Sequence, residues 1–81
     1  MDELERTKIQ VMAIELVLRD VARLKAVVSA LERSAADAEW EGLRWAADAA
    51  TRNLSKIEVD FGVELEVGVL DVARLELDAQ G

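Results

Sequence analysis

The 81-residue sequence contains no cysteine, histidine, proline or tyrosine. Without cysteine, the chain has no disulfide bond, no thiolate nucleophile and no cysteine-based zinc site. Without histidine, it lacks the usual acid–base catalyst at neutral pH and the commonest metal ligand. Its serine and threonine hydroxyls have no histidine to activate them, and its four isolated glycines form no phosphate-binding loop. We therefore expect a protein that is not an enzyme and binds no cofactor.

Long apolar runs and basic clusters are also missing. The most apolar stretch, residues 11–18, is far shorter than the roughly 20 residues of a membrane span. The chain starts with acidic residues, whereas secretory signals and transit peptides start with basic ones. The net charge is −7, whereas binding to nucleic-acid phosphates requires clustered lysine and arginine. We expect a cytoplasmic protein that binds neither membranes nor nucleic acids directly.

The remaining composition fits one small folded domain, because 52% of the residues are apolar. The negative charge is unevenly distributed. Residues 1–33 contain six acidic and six basic side chains. Residues 57–81 contain seven acidic side chains, and Arg74 is their only basic one. Nearly all of the net charge therefore lies in the last third of the chain.

A long helix is predicted over about residues 2–33, which contain no glycine. Between Ile9 and Leu18, apolar residues cover almost the whole circumference of this helix. Two interpretations stay open: a central core helix within one chain, or a helix that packs against other copies. The main apolar stripe has three- and four-residue spacing. It consists of Ile14, Val17, Val21, Leu24, Val28 and Leu31.

A second helix is predicted over about residues 35–54. Ser34 and Asp37 have the spacing of a capping box that starts a helix. The apolar series changes phase here, as a turn between two packed helices requires, so we favour a helical hairpin. The alternative is one unbroken helix in a parallel coiled coil, because no strong helix breaker precedes Gly42. The new apolar series is Trp40, Leu43, Ala47, Ala50, Leu54 and Ile57.

The last third alternates between apolar and polar residues, which predicts a β-strand over about residues 57–69. Gly62 and Gly68 would lie on its polar face, at a bulge or bend. Residues 73–78 are predicted to form either a short return strand or a final helical turn, and we favour the strand. The predicted fold class is therefore α+β, mostly helical, with a hairpin followed by a C-terminal β segment. The alternating apolar residues are Ile57, Val59, Phe61, Val63, Leu65, Val67 and Val69.

These predicted elements are too long for a compact monomer. A helix of about 32 residues is roughly 48 Å long, whereas a globule of this size is about 30 Å across. A lone long strand also leaves backbone groups unpaired. We therefore expect an elongated homo-oligomer that acts as a small protein–protein interaction module. The predicted self-association residues are Ile9, Met12, Leu16, Val21, Val28 and Trp45.

The acidic residues of the predicted strand form a second candidate site, because they would share one face. The first interpretation is a solvated face that discourages aggregation. The second is a docking surface for a basic partner, with the chain acting as an acidic inhibitor or nucleic-acid mimic. The third is a site for Ca²⁺ or Mg²⁺, although the sequence lacks the calcium-loop pattern and no metal is expected. These residues are Glu58, Asp60, Glu64 and Glu66.

Residues 40–42, Trp-Glu-Gly, lie near the middle of the chain after a long predicted helix. This sequence resembles the Trp-x-Gly turn of the small helical-hairpin proteins exported by type VII secretion systems. The resemblance implies a second long helix that carries the export signal Tyr-x-x-x-Asp/Glu. The sequence departs from that signal, because it has no tyrosine and Phe61 is followed four residues later by Leu65. On the basis of the Trp-x-Gly resemblance alone, export is an alternative to the interaction module.

Overall fold

The computed structural model describes residues 1–34 and 41–81, which contain two long helices. Helix α1 spans Glu3–Ser34 and helix α2 spans Glu41–Gln80. They pack along each other in an antiparallel arrangement. Two contacts show this direction: Lys8 contacts Glu76 near the chain ends, and Lys25 contacts Glu58 farther along. This confirms the predicted hairpin over the single unbroken helix. The Cα atoms extend over 64 × 16 × 15 Å.

The ends of α1 are defined by local hydrogen bonds. Asp2 precedes the helix, and its Oδ1 accepts a hydrogen bond from the backbone N–H of Glu5, with an N···O distance of 2.7 Å. This is an N-cap, and the acidic first turn also suits the helix dipole. Ser34 ends the helix, and its hydroxyl donates to the Leu31 carbonyl oxygen at 2.9 Å. The rest of the predicted capping box, and Trp40, lie outside the described residues.

The contact between the helices follows a three- and four-residue spacing, which is the spacing of antiparallel helix pairs. Among the described residues, only Val21 and Ala47 are buried, with 8% and 4% of their surface exposed. The other members of the contact are half-buried, so the hairpin has a thin core. The half-buried members include Leu4, Val11, Ile14, Leu18 and Val28 on α1, and Leu43, Leu54, Phe61, Leu65, Val72 and Leu75 on α2.

The α+β fold class is wrong, because the described residues contain no strand. The predicted strand 57–69 and the predicted return strand 73–78 both lie within α2. On an α-helix, a step of two residues turns by about 200°, so alternating apolar residues lie on opposite sides. Phe61 is half-buried, whereas Val59 and Val63 are exposed. The alternation therefore reflects a helix with two apolar faces instead of a strand with one.

The two glycines predicted at a bulge or bend lie inside α2 instead, in different surroundings. A Cβ atom added at Gly62 would have no neighbour within 4 Å. A Cβ atom added at Gly68 would lie 2.8 Å from Cγ2 of Val11, closer than packed atoms tolerate. The missing side chain at Gly68 therefore allows α1 and α2 to approach each other closely at this point.

Candidate interaction surfaces

The hairpin exposes more surface than a compact protein of its mass. Its accessible surface is 6101 Å², whereas a compact protein of 8.9 kDa exposes about 4,800 Å². The excess, roughly 1,300 Å², is larger than the about 800 Å² that one partner contributes to a standard interface. Among the described residues, fifteen large apolar side chains are exposed. Most of these side chains form two rows, one on each helix.

The first row lies on the side of α1 that points away from α2, and we name it the outer face of α1. It contains two apolar triplets with the same three- and four-residue spacing. Between the triplets lie the exposed charged residues Arg19, Asp20 and Arg23. The exposed fraction of the six apolar residues ranges from 42% to 63%. They are Ile9, Met12 and Leu16 in the first triplet, and Leu24, Val27 and Leu31 in the second.

The second row lies on the side of α2 that points away from α1, and we name it the outer face of α2. Its five apolar residues are 50% to 69% exposed. At about 100° per residue, Asp60 and Glu64 lie along one flank of this row and Glu66 lies along the other. The apolar residues of the row are Val59, Val63, Val67, Leu70 and Leu77.

The four acidic residues predicted to share one face are separated by the helix. Glu58 is turned toward α1, where its Oε1 lies 3.0 Å from Nζ of Lys25. Asp60 and Glu64 remain exposed on one flank of the outer face of α2, and Glu66 is exposed on the other. The predicted common acidic face is therefore replaced by one interhelical ion pair and two separate acidic flanks.

The six residues predicted for self-association also divide into groups. Ile9, Met12 and Leu16 lie together on the outer face of α1. Val21 and Val28 instead belong to the contact with α2, and Trp45 is 71% exposed on α2. Sequence reasoning placed Leu24 and Leu31 in the inner stripe and missed Val27. The triplet spacing of Ile9, Met12 and Leu16 is repeated after residues 19–23. This repeat could have assigned Leu24, Val27 and Leu31 to the outer face of α1.

Two ion pairs connect the helices and mark their relative register. Lys25 and Glu58 are 3.0 Å apart, and their side chains are 28% and 40% exposed. Lys8 and Glu76 are 3.2 Å apart and about half-exposed. Within α2, Arg74 lies 3.8 Å from Asp71. Among the described residues after Glu58, four acidic side chains of α2 form no ion pair: Asp60, Glu64, Glu66 and Asp78.

The grooves of the hairpin are open. An apolar groove of about 280 Å³ lies between the helices beside Gly68, with Val11, Met12 and Val69 in its lining. A polar groove of about 370 Å³ is lined by Ser29, Glu32, Arg33 and Arg44. In the described part of the chain, no three acidic, histidine or cysteine side chains are grouped to hold a metal ion.

No helix among the described residues has the length and apolar character needed to cross a membrane. Glu41 and Gly42, the described part of the Trp-x-Gly sequence, form the first turn of α2. Comparisons of the chain with protein-family models, with curated proteins and with solved structures found no match. The function is therefore inferred from the two outer faces.

Proposed function

We propose that the protein is a self-associating helical hairpin whose copies pair through the outer face of α1. The observation that carries this proposal is the contrast between a thin core and a large apolar surface. Only Val21 and Ala47 are buried among the described residues, while fifteen large apolar side chains are exposed. Small domains with little buried surface are marginally stable alone and gain stability by association.

The charges favour the outer face of α1 over that of α2 as the self-pairing surface. Arg19, Asp20 and Arg23 supply both signs of charge at the centre of the first face. Two copies of the outer face of α2 would instead bring Asp60 and Glu64 against like charges of the partner. Like charges placed opposite each other in an interface disfavour that pairing. Of the two outer faces, that of α1 therefore carries charges of both signs that can pair between copies.

An antiparallel pair of α1 helices matches the two apolar triplets. With Asp20 at the centre, Leu16 faces Leu24 of the partner subunit. Ile9 then faces Leu31 of the partner subunit, and the two Asp20 residues meet at the two-fold axis, where Arg19 and Arg23 of both copies lie beside them. This arrangement opposes the helix dipoles and separates the acidic C-terminal halves of the two α2 helices. It also has a two-fold axis, which closes the assembly as a dimer.

The absolute mass in solution tests the proposal, and light scattering on a sizing column measures it. We expect twice the 8.9 kDa chain mass, unchanged at high salt because apolar contacts hold the copies together. Met12→Glu/Val27→Glu should shift the mass toward the monomer. Val63→Glu/Leu70→Glu is the matched control, because its residues are similarly exposed (55% and 69%, against 61% and 63%). Monomeric wild-type protein at every concentration contradicts self-association.

A second measurement separates loss of pairing from loss of folding. The circular dichroism of each variant gives its helix content under the conditions of the mass measurement. For the wild-type protein, the melting temperature should rise with protein concentration, because pairing stabilises the folded chain by mass action. Two results together rule the proposal out. One is a wild-type melting temperature that does not depend on protein concentration. The other is that the wild-type protein and Met12→Glu/Val27→Glu are both helical and monomeric.

Export by a type VII secretion system is a second candidate function. It is favoured by the helical structure of residues 57–80, since the Trp-x-Gly resemblance implies a second long helix. The test is the amount of tagged chain in the culture medium of a bacterium that has such a system. Equal amounts in the medium of a strain whose system is disabled contradict this function.

A further inference from the structure

We propose that the outer face of α2 is a docking surface for a basic amphipathic helix of another protein. This surface is distinct from the outer face of α1, so the proposal does not depend on self-association. It is carried by two features that occur together on one side of α2: an exposed apolar row and unpaired carboxylates along both of its flanks.

The apolar row has the dimensions of a helix-binding surface. From Val59 to Leu77 it covers 19 residues, and its ends lie about 27 Å apart at 1.5 Å per residue. Val59, Val63, Val67 and Leu70 follow one another at three- and four-residue spacing, and each is at least half-exposed. A partner helix with apolar residues at the same spacing can insert them between these side chains. The length and spacing therefore fit a helix of about five turns.

The charges define the chemistry of that helix. Asp60 and Glu64 lie along one flank, Glu66 lies along the other, and none of them forms an ion pair with another described residue. The one base within the row, Arg74, lies 3.8 Å from Asp71. Charged residues beside the apolar seam of paired helices select the partner. The complementary partner therefore carries lysine or arginine on both sides of its own apolar stripe.

The same charges make other occupants a poor fit. A second copy of this face would oppose acid to acid, and an anionic membrane or nucleic acid would be repelled. A cation site would need carboxylates that converge, whereas Asp60 and Glu66 lie on opposite flanks. A basic amphipathic helix satisfies the apolar row and both acidic flanks at once.

A synthetic peptide tests the proposal directly. The probe is a fluorescent peptide of leucine and lysine, about 18 residues long to match the row, with leucine at three- and four-residue spacing. Its affinity for the full chain is measured by fluorescence anisotropy at low and high salt. Two control peptides have the same composition in scrambled order, or glutamate in place of lysine. We expect binding at least tenfold tighter than that of either control, and weaker binding at high salt.

Matched variants locate the binding surface. Asp60→Asn/Glu64→Gln/Glu66→Gln and the apolar variant Val63→Ser/Leu70→Ser should each weaken peptide binding by roughly tenfold. The control Glu5→Gln/Glu15→Gln/Glu41→Gln removes the same net charge from exposed positions elsewhere. It should change the affinity for the peptide by less than about twofold. Circular dichroism and light scattering should show unchanged folding and mass for all three variants.

Three results would overturn the proposal. Equal affinity for the ordered and scrambled lysine peptides would mean unspecific charge attraction. Equal losses in the acidic variant and its control would place binding elsewhere on the chain. Assemblies of any size that dissociate in Val63→Ser/Leu70→Ser but persist in Met12→Glu/Val27→Glu would mean that another copy of the chain covers this face. None of these results depends on whether the outer face of α1 pairs, so failure of either proposal is recognised separately.

Discussion

Replacement of Gly68 by alanine tests how closely the two helices approach each other. The new Cβ atom would lie 2.8 Å from Cγ2 of Val11. Valine is branched at Cβ and has one strongly preferred side-chain rotamer in a helix, so its methyl group cannot easily turn away. The helices must separate locally to accommodate the alanine, which disturbs the contact between α1 and α2 on both sides of it.

The size of the effect follows from two opposing contributions. An exposed glycine in a helix is about 0.8–1.0 kcal/mol less favourable than alanine, whereas overpacking an interface costs typically about 1–3 kcal/mol. At Gly62 only the first contribution applies, because nothing lies within 4 Å of the added Cβ. We therefore expect Gly62→Ala to raise the free energy of unfolding by about 1 kcal/mol and Gly68→Ala to lower it by up to about 2 kcal/mol.

The difference between the two variants measures the steric clash, because the gain in helix propensity is common to both. Thermal unfolding followed by circular dichroism at one fixed protein concentration gives this difference. Each kcal/mol corresponds to about 4–8 °C in melting temperature for a domain of this size. Adding Val11→Ala to Gly68→Ala should recover part of the loss, in a double-mutant cycle. Equal stabilisation by the two glycine variants would refute the close approach at Gly68.

Two further predictions concern polar contacts. Asp2→Ala should destabilise α1 by about 1 kcal/mol and speed hydrogen exchange at the Glu5 amide, because it removes the N-cap. Asp2→Asn should preserve most of the stability, because asparagine also caps helices. An exchange rate at the Glu5 amide that is the same in Asp2→Ala and in the wild-type protein would contradict the cap. A double-mutant cycle with Lys25→Gln and Glu58→Gln should give a coupling free energy of about 0.2–1 kcal/mol in unfolding experiments, because both side chains are partly solvent-screened. The cycle of Lys25→Gln with Asp60→Asn is its control, and equal coupling in the two cycles would argue against the observed register.

Helix α1 could be predicted because the first part of the sequence has several features typical of a helix. Residues 3–34 contain no glycine, carry acidic residues in the first turn and repeat apolar residues at helical spacing. The predicted limits, 2–33, differ from Glu3–Ser34 by one residue at each end. The phase change after Ser34 correctly indicated that the second helix folds back on the first.

The second half could not be assigned from its alternation alone, because two structures generate the same pattern. A strand with one apolar face and a helix with two opposite apolar faces both place apolar residues at every second position. The continuous three- and four-residue spacing through Phe61, Leu65, Gly68, Val72 and Leu75 distinguishes the helix. Glycine at one of these positions concealed the series, since Gly68 belongs to the contact without supplying an apolar side chain.

The candidate sites were only partly predictable, since sequence spacing does not identify which stripe faces the neighbouring helix. Met12 and Val21 both belong to apolar stripes of α1, but Met12 is 61% exposed and Val21 is buried. The relative register of the helices makes this choice, and it depends on pairs distant in sequence, such as Lys25 with Glu58. The same register turned Glu58 away from the other acidic residues with which it had been grouped.

The identity of the outer residues of α2 argues that this face is used. Valine at an exposed helix position loses side-chain freedom and has a lower helix propensity than alanine, lysine or glutamate. Val59, Val63 and Val67 thus contribute little to the stability of the isolated hairpin, while they expose half or more of their surface. A contact that buries them reverses this balance, because it recovers about 25 cal/mol per Å² of apolar surface. The residues least suited to a solvent-exposed helix are therefore the ones best suited to hold an apolar partner there.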